Sequence, residues 1–233
     1  MKNDKAIQII DRALRQGCKN LSEYTAKQVL AAYDIPVTKE ILIKDKTNLE
    51  KGISKICFPM VMKGCSTEIA HKTEKGLIRV DIRTTTEAKK AFREIMTEME
   101  GFEGGVLMQE MIKGRRELVI GLTRDAQFGP CVMFGLGGIF TEILHDVTFR
   151  RAPLEIRDAM EMMQEIKGYK ILDTFRGMEA ADKKHLTNML INIGRIGLDF
   201  DSIMGIDLNP VIISGTKPVV VDALIVLEGN KNV

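Results

Sequence analysis

The C-terminal stretch GIDLNPVIISGTKPVVVDALIVL, residues 205–227, carries side chains able to grip a cation. Asp207, Asn209 and Asp222 interrupt runs that are otherwise apolar and β-branched. Gly215-Thr216 separates two strand-like runs, and glycine at the first central position is what a type II′ two-residue turn requires. With that turn, Ser214 faces Lys217, Asn209 lies opposite Asp222, and Asp207 lies opposite Leu224, one step along the same face. Alternation assigns Ile206, Leu208, Ile212, Val219, Val221, Ala223 and Ile225 to the other, core-facing side. Directly opposed residues have Cβ atoms roughly 4.5–5.5 Å apart, so Asn209 and Asp222 can share one ion. Magnesium bound with phosphates typically needs only one or two carboxylates plus water. The plainer alternative is a hairpin whose polar face is merely wet.

A second group sits in MKGCSTEIAHKTEKG, residues 62–76. Lys63 closes the apolar run PMVMK, and a lysine at a strand end can reach nucleotide phosphates as a point charge. It can equally run its stem along the surface to water. His71 follows eight residues later. Its imidazole is largely neutral near pH 7 and is then a competent nucleophile towards phosphorus, although most lone histidines are structural or solvated.

Further along, Glu110 ends VLMQE, and an extended segment there can offer backbone groups to an adenine edge. Glu117 opens the next strand, just past Gly114-Arg115-Arg116; either glutamate can instead pair with one of those arginines. The stretch FGLGGIFTE, residues 134–142, is a glycine-rich turn of the kind that forms an anion-binding nest. It does not match the dinucleotide fingerprint, and the chain lacks G-x-x-x-x-G-K-[ST]. His145, Asp146, Arg150 and Arg151 read as a charged rim downstream, and His185 as a helix-surface residue.

Composition narrows the function classes. The formal net charge of +2, the absence of tryptophan and an aromatic content of 5% give no case for nucleic acid. Cys18, Cys57, Cys65 and Cys131 form no C-x-x-C pair, which fits a reducing cytoplasm better than zinc or a disulfide framework. The start MKNDKAIQII has no signal-peptide core, and Val219–Leu227 is too short to cross a bilayer.

The elements that must position these residues follow from periodicity and caps. Ser22 reads as an N-cap for a helix that ends before Ile35-Pro36. Strands are expected at Glu40–Ile43, Pro59–Lys63, Ile78–Arg83, Val106–Ile112, Glu117–Thr123 and Pro130–Phe134. Helices are expected at 47–56 and 86–99, with two later helical stripes. Met160, Met163 and Ile166 form one stripe; Leu186, Met189, Leu190, Ile193 and Ile196 form the other. Strands and helices mix without a strict βαβ rhythm, which indicates an α+β fold. Gly101–Gly105 is the expected hinge between lobes 1–103 and 104–233.

As an ordered set, LSEYTAKQVLAAYDIPV, VMKGCSTEIAHKTEKG, VLMQEMIKGRRELVIGL, FGLGGIFTEILHDVTFRRAPL and GIDLNPVII…VVVDALI resemble the β subunits of ADP-forming acetyl-CoA synthetases. These are ATP-grasp proteins related to the succinyl-CoA synthetase β chain. The resemblance implies two α/β lobes clasping a nucleotide, with Mg²⁺ and ATP or ADP as cofactors. By motif, Lys63 would contact phosphates, Glu110 and Ile112 the adenine hinge, and Glu117 the nucleotide further in. Asn209 and Asp222 would hold Mg²⁺, with Asp207 beside them. His71 would receive a phosphoryl group and pass it to ADP. A separate CoA-binding α subunit, in an α2β2 complex, would complete the reaction. The alternatives are an ATP-grasp carboxylate ligase with no phosphohistidine and a non-catalytic nucleotide-sensing subunit. Ser66-Thr67 and Gly76-Leu77 depart from the family's usual Ser-Pro and Gly-Gly.

Overall fold

A computed structural model of the chain describes residues 3–69, 76–138 and 146–228. Two antiparallel sheets organise it. The smaller has the strand order β1-β4-β2-β3, with β1 Glu40–Ile43, β2 Met60–Cys65, β3 Ile78–Ile82 and β4 Gly105–Glu110. The helices α3 (Lys46–Ile53) and α4 (Thr85–Glu98) cover one of its faces. Asp45 and Thr84 cap them by accepting from Asn48 N and Glu87 N. Ile41 and Ile43 of β1, Met60 and Met62 of β2, and Val106 and Met108 of β4 pack into that apolar cluster with Leu49, Phe92 and Ile95. Alternation puts Glu40, Lys63 and Gln109 on the opposite face, away from these helices.

The larger sheet runs β10-β8-β5-β6-β7, with β9 also paired to β8. Its strands are β5 Glu117–Asp125, β6 Gly129–Leu136, β7 Val147–Arg151, β8 Ile203–Ser214, β9 Lys217–Val220 and β10 Leu224–Leu227. Its core gathers α5 (Ile156–Glu165), α6 (Lys183–Asp199) and two N-terminal helices, α1 (Asp4–Arg15) and α2 (Glu23–Ala32). Leu186, Met189, Leu190, Ile193 and Ile196 all lie in this core, as the stripe requires. The first stripe is shifted: Ala159, Met162, Met163 and Ile166 are buried, whereas Met160 is 47% exposed.

The packing units are not the sequence halves 1–103 and 104–233. β4 lies beyond that boundary, yet it is inserted between β1 and β2 of the small sheet. Residues 6–35 lie before it, yet they supply Ala6, Ile10, Val29, Leu30 and Ile35 to the larger core. Helix α1 and strand β7 are additions to the elements read from the sequence.

Candidate nucleotide and metal site

The C-terminal hairpin forms in the expected register. Ser214 pairs with Lys217 and Val211 with Val220; beyond an interruption, Asp207 pairs with Leu224 and Ile206 with Ile225. Gly215 has φ +60°, while Thr216 is not among the positive-φ residues, as a type II′ turn demands. The interruption at residues 221–223 keeps the same offset, because Val221 N donates to Pro210 O at 3.0 Å. Asn209 and Asp222 therefore lie across from one another.

The expected core face of this hairpin is only half right. Leu118 of β5 pairs with Val211, and Ile120 with Leu208, so Asn209 and Pro210 together oppose Val119. This two-against-one arrangement is a β-bulge, which re-aims side chains. Pro210 has no N–H to lose at such a point. Beyond the bulge the alternation changes phase: Val211, Ile213 and Val220 are buried in place of Ile212, Val219 and Val221. Asp207 and Asn209 stay exposed on the near side.

The segment before and after α2 is laced to this hairpin. Leu21 N donates to Ile225 O and Leu227 N to Lys19 O; Thr38 N donates to Val220 O and Val220 N to Pro36 O. Helix α2 thus spans the gap between β9 and β10. Ser22 caps it, accepting from Thr25 N, and Glu23 stands in its first turn, where the helix dipole favours a carboxylate.

Glu23 and the lysines around it form a buried ionic cluster. The three N–H groups of Lys27 Nζ are shared among four oxygens within hydrogen-bond distance: Glu23 Oε1 (2.8 Å), Thr38 Oγ1 (2.9 Å), Glu40 Oε2 (2.8 Å) and Gln109 Oε1 (3.0 Å). Lys63 Nζ donates to the same Glu23 Oε1 at 2.8 Å and to Val221 O at 3.0 Å, and lies 3.8 Å from Asp222 Oδ2. Lys63 is 4% exposed, so it is not a surface lysine reaching for water. The donor-only ammonium of Lys27 fixes which way the Gln109 amide points, which leaves Gln109 Nε2 as a buried donor without a partner. Glu40 is pushed above the ordinary carboxylate range, chiefly by burial, with Lys27 opposing the shift.

Asp222 Oδ1 accepts from Ala223 N, which orients its carboxylate. The Asp207 carboxyl is pushed upward, first by desolvation and then by the charge of Asp222. Asp207 still presents surface to solvent. A desolvated carboxyl beside a second carboxylate, with an amide oxygen next to them, suits a divalent cation. No cluster of three or more His, Cys, Asp or Glu side chains with metal-site geometry occurs among the described residues. A sparse set of this kind fits magnesium completed by phosphate oxygens and water.

The other expected site residues have defined places. Glu110 ends β4; its Oε1 accepts from Lys39 N at 2.8 Å while its own N–H donates to Lys39 O. It does not pair with Arg115 or Arg116. Arg116 is buried and donates to the carbonyls of Ile171 and Gly215. Met111 N reaches Pro59 O, and Ile112 follows in extended chain, half-buried. Glu117 opens β5 beneath the glycine-rich turn: its carbonyl accepts from Gly137 N at 2.8 Å. Gly138 has φ +62°, in the left-handed region that favours glycine, and sits against the Glu117 carboxylate. His71 lies outside the described residues, as do His145 and the rest of the glycine-rich turn from 139 to 145. Asp146 is not part of the charged rim expected downstream, whereas Arg150 and Arg151 keep contact with solvent. Asp146 is buried, and its two oxygens accept from Lys167 N and Gly168 N.

Glu23, Lys27, Thr38, Glu40 and Gln109 escaped the sequence reading. A Glu–Lys pair spaced i, i+4 reads as helix-surface decoration. The available signal was a glutamate and a glutamine at inward positions of otherwise apolar strands.

This architecture, with a helix-backed small sheet facing a hairpin that bears carboxylates, defines a nucleotide-clasping class. The ATP-grasp domain family matches residues 12–227, and the chain belongs to it. Within that family it groups with the β subunits of ADP-forming acetyl-CoA synthetases. It is 42% identical to the Acetate–CoA ligase [ADP-forming] II subunit beta of Pyrococcus furiosus, covering 97% of this chain and 99% of that one. Acetyl-coenzyme A synthetase 1 of Ca. Korarchaeum cryptofilum, solved with coenzyme A, Ca-AMPCP and HgCl⁺, superimposes with a TM-score of 0.91 at 42% identity, over 96% of this chain and all of that one. The same synthetase with coenzyme A and Mg-AMPPCP, its phosphohistidine segment pointing towards the nucleotide site, gives 0.83 over the same shares.

Proposed function

We propose that this chain is the nucleotide-binding β subunit of an ADP-forming acyl-CoA synthetase, catalysing acyl-CoA + ADP + phosphate ⇌ carboxylic acid + ATP + CoA. One observation carries the reading. The Lys63 ammonium, projecting from the small sheet, lies 3.8 Å from Asp222 on the hairpin of the large sheet. A basic strand end and a metal-type carboxylate therefore meet where two lobes face each other. Phosphates and a cation are the ligands such a pair would serve together.

In this reading Asn209 and Asp222 hold Mg²⁺, which when bound neutralises phosphate charge. Lys63 aligns the phosphates, the Glu110–Ile112 strand end takes the adenine edge, and Glu117 contacts the nucleotide further in. His71 carries the phosphoryl group: its P–N bond breaks as a β-phosphate oxygen of ADP forms the new P–O bond. Little covalent work falls on the protein beyond that, so positioning and charge neutralisation dominate. A CoA-binding α subunit would form the acyl phosphate and load His71, in an α2β2 assembly. The likeness to separate β subunits supports such a partner. Four free thiols, and no helix among the described residues long and apolar enough to span a membrane, support a cytoplasmic setting.

The test is reconstitution with the α partner. His71→Ala should bind Mg-ADP normally in calorimetry, while acyl-CoA-driven ATP formation falls by orders of magnitude. Acid-labile, base-stable phosphoryl label should appear on the wild-type chain and vanish in the variant. Full turnover by His71→Ala would remove the relay and favour a ligase that works through acyl phosphate alone. Asn209→Ala combined with Asp222→Ala should weaken Mg-nucleotide binding, as read by the same calorimetry.

A further inference from the structure

We propose that the chain carries a second anion site, outside the nucleotide cleft, for a compact phosphate dianion, either free phosphate or a phosphate monoester. A cavity of about 710 Å³ opens where the β4–β5 connection, the β8–β9 turn and the segment between α5 and α6 meet. That volume is ordinary for a small-molecule site. Lys113, Arg115, Arg116 and Arg176 line it, and Glu179 is the one carboxylate among the described residues that do. Arg116 precedes Glu117, so by alternation it takes the side of Leu118, which is the helix-packed core side. Its bond to the carbonyl of Ile171, between α5 and α6, fits that side. Asp207 pairs with Gly121 and therefore lies on the opposite face, with Glu117.

Arg116 carries the argument. It is 2% exposed, yet its two acceptors are uncharged: the carbonyls of Ile171 at 3.3 Å and Gly215 at 2.9 Å. The rest of its five N–H groups have no acceptor among the described residues. A buried cation without a counter-charge is costly, and an anion in the cavity would supply one. Lys113 and Arg115 stand exposed beside it, with Asp81 a charged neighbour of Lys113. Arg176 (φ +46°) and Gly177 (φ +77°) form the turn of a small hairpin closed by bonds between Phe175 and Met178. The Arg176 guanidinium lies over the Phe175 ring, 5.2 Å from its centroid, which holds it in place. Neither Arg115 nor Arg176 pairs with a described carboxylate. Guanidinium forks take phosphate oxygens two at a time. Four cations against one carboxylate favour a dianion, and the recess of Arg116 favours a compact one. An acidic peptide offers its charges one carboxylate at a time.

Calorimetric titration of inorganic phosphate, and separately of methyl phosphate, into the full-length chain at constant ionic strength tests the site. Wild type should bind at least one of them saturably. Tighter binding of methyl phosphate would identify a monoester as the ligand, and tighter binding of inorganic phosphate the free anion. Arg115→Ala combined with Arg176→Ala should weaken that binding about tenfold or more, the scale of one charged hydrogen bond, and leave Mg-ADP affinity unchanged. Both arginines are exposed, so the variant should keep the wild-type fold, as its melting curve would record. Saturating Mg-ADP should leave phosphate binding in place. Displacement of phosphate by Mg-ADP would put the anion in the nucleotide cleft and overturn the proposal. No saturable binding of either probe, or wild-type affinity in the double variant, would overturn it equally. Failure of Mg-ADP itself to bind would count against the nucleotide reading instead, and the arginine variant would still decide this one.

Discussion

The larger apolar core and the ionic cluster around Lys27 are buried to the same degree, yet they hold the molecule in different ways. Ile193 in α6 is fully buried among side chains that touch it without direction. Lys27, 1% exposed, is met by four oxygens at 2.8–3.0 Å, each from a different residue. The apolar core opposes exposure to water; the cluster opposes any change of angle. It also lies where the two apolar clusters do not merge, between α2 and the bare face of the small sheet. The lesson is that this fold uses oil within each unit and charge where the two units meet.

The sharpest way to break the comparison is Lys27→Met. It leaves the Glu23 and Glu40 carboxylates facing each other without their shared cation, and should cost about 3–5 kcal/mol in urea unfolding. Adding Glu40→Gln should restore part of that loss, since one of the stranded charges goes. Ile193→Ala, a cavity without stranded charge, should cost about 2–5 kcal/mol, and no second polar substitution should restore it. Equal recovery in both backgrounds would erase the distinction.

A smaller effect sharpens it through pH. Burial raises the Glu40 carboxyl above its ordinary value. The folded state therefore holds that proton where the unfolded chain has released it. Its contribution is fully present below the unfolded carboxyl range and is lost as pH rises through the folded value. Glu40→Gln should flatten that part of the stability–pH curve, as measured by urea midpoints between pH 4 and roughly 7. Smallest of all is Asp182→Ala at the start of α6, where the carboxylate accepts from His185 N and meets the His185 ring. Loss of this exposed cap should lower the urea midpoint only slightly and leave nucleotide affinity untouched.

Much of the large sheet was legible because its hairpin obeys local rules. Gly215 fixed the turn, and the turn fixed which residues oppose Asp207 and Asn209. The bulge at Asn209-Pro210 was not legible: it depends on how β8 meets β5, a strand some ninety residues earlier, and that pairing reversed which valines and isoleucines are inside. Lys63 was visible as a candidate but its anchoring was not. Glu23 is forty residues upstream and Val221 far downstream, and a lone lysine at a strand end names neither. Helix α6 was clear from its stripe, whereas Met160 looked like core only because the sequence does not say which side of α5 meets the sheet.

The bond from Lys63 to the carbonyl of Val221 has a mechanical consequence. The residue after that carbonyl is Asp222, so tension applied to the small sheet is delivered through one peptide unit to the carboxylate beside it. Prising the two sheets apart therefore pulls on the hairpin as well, and they cannot separate without re-aiming the Asp222 carboxylate.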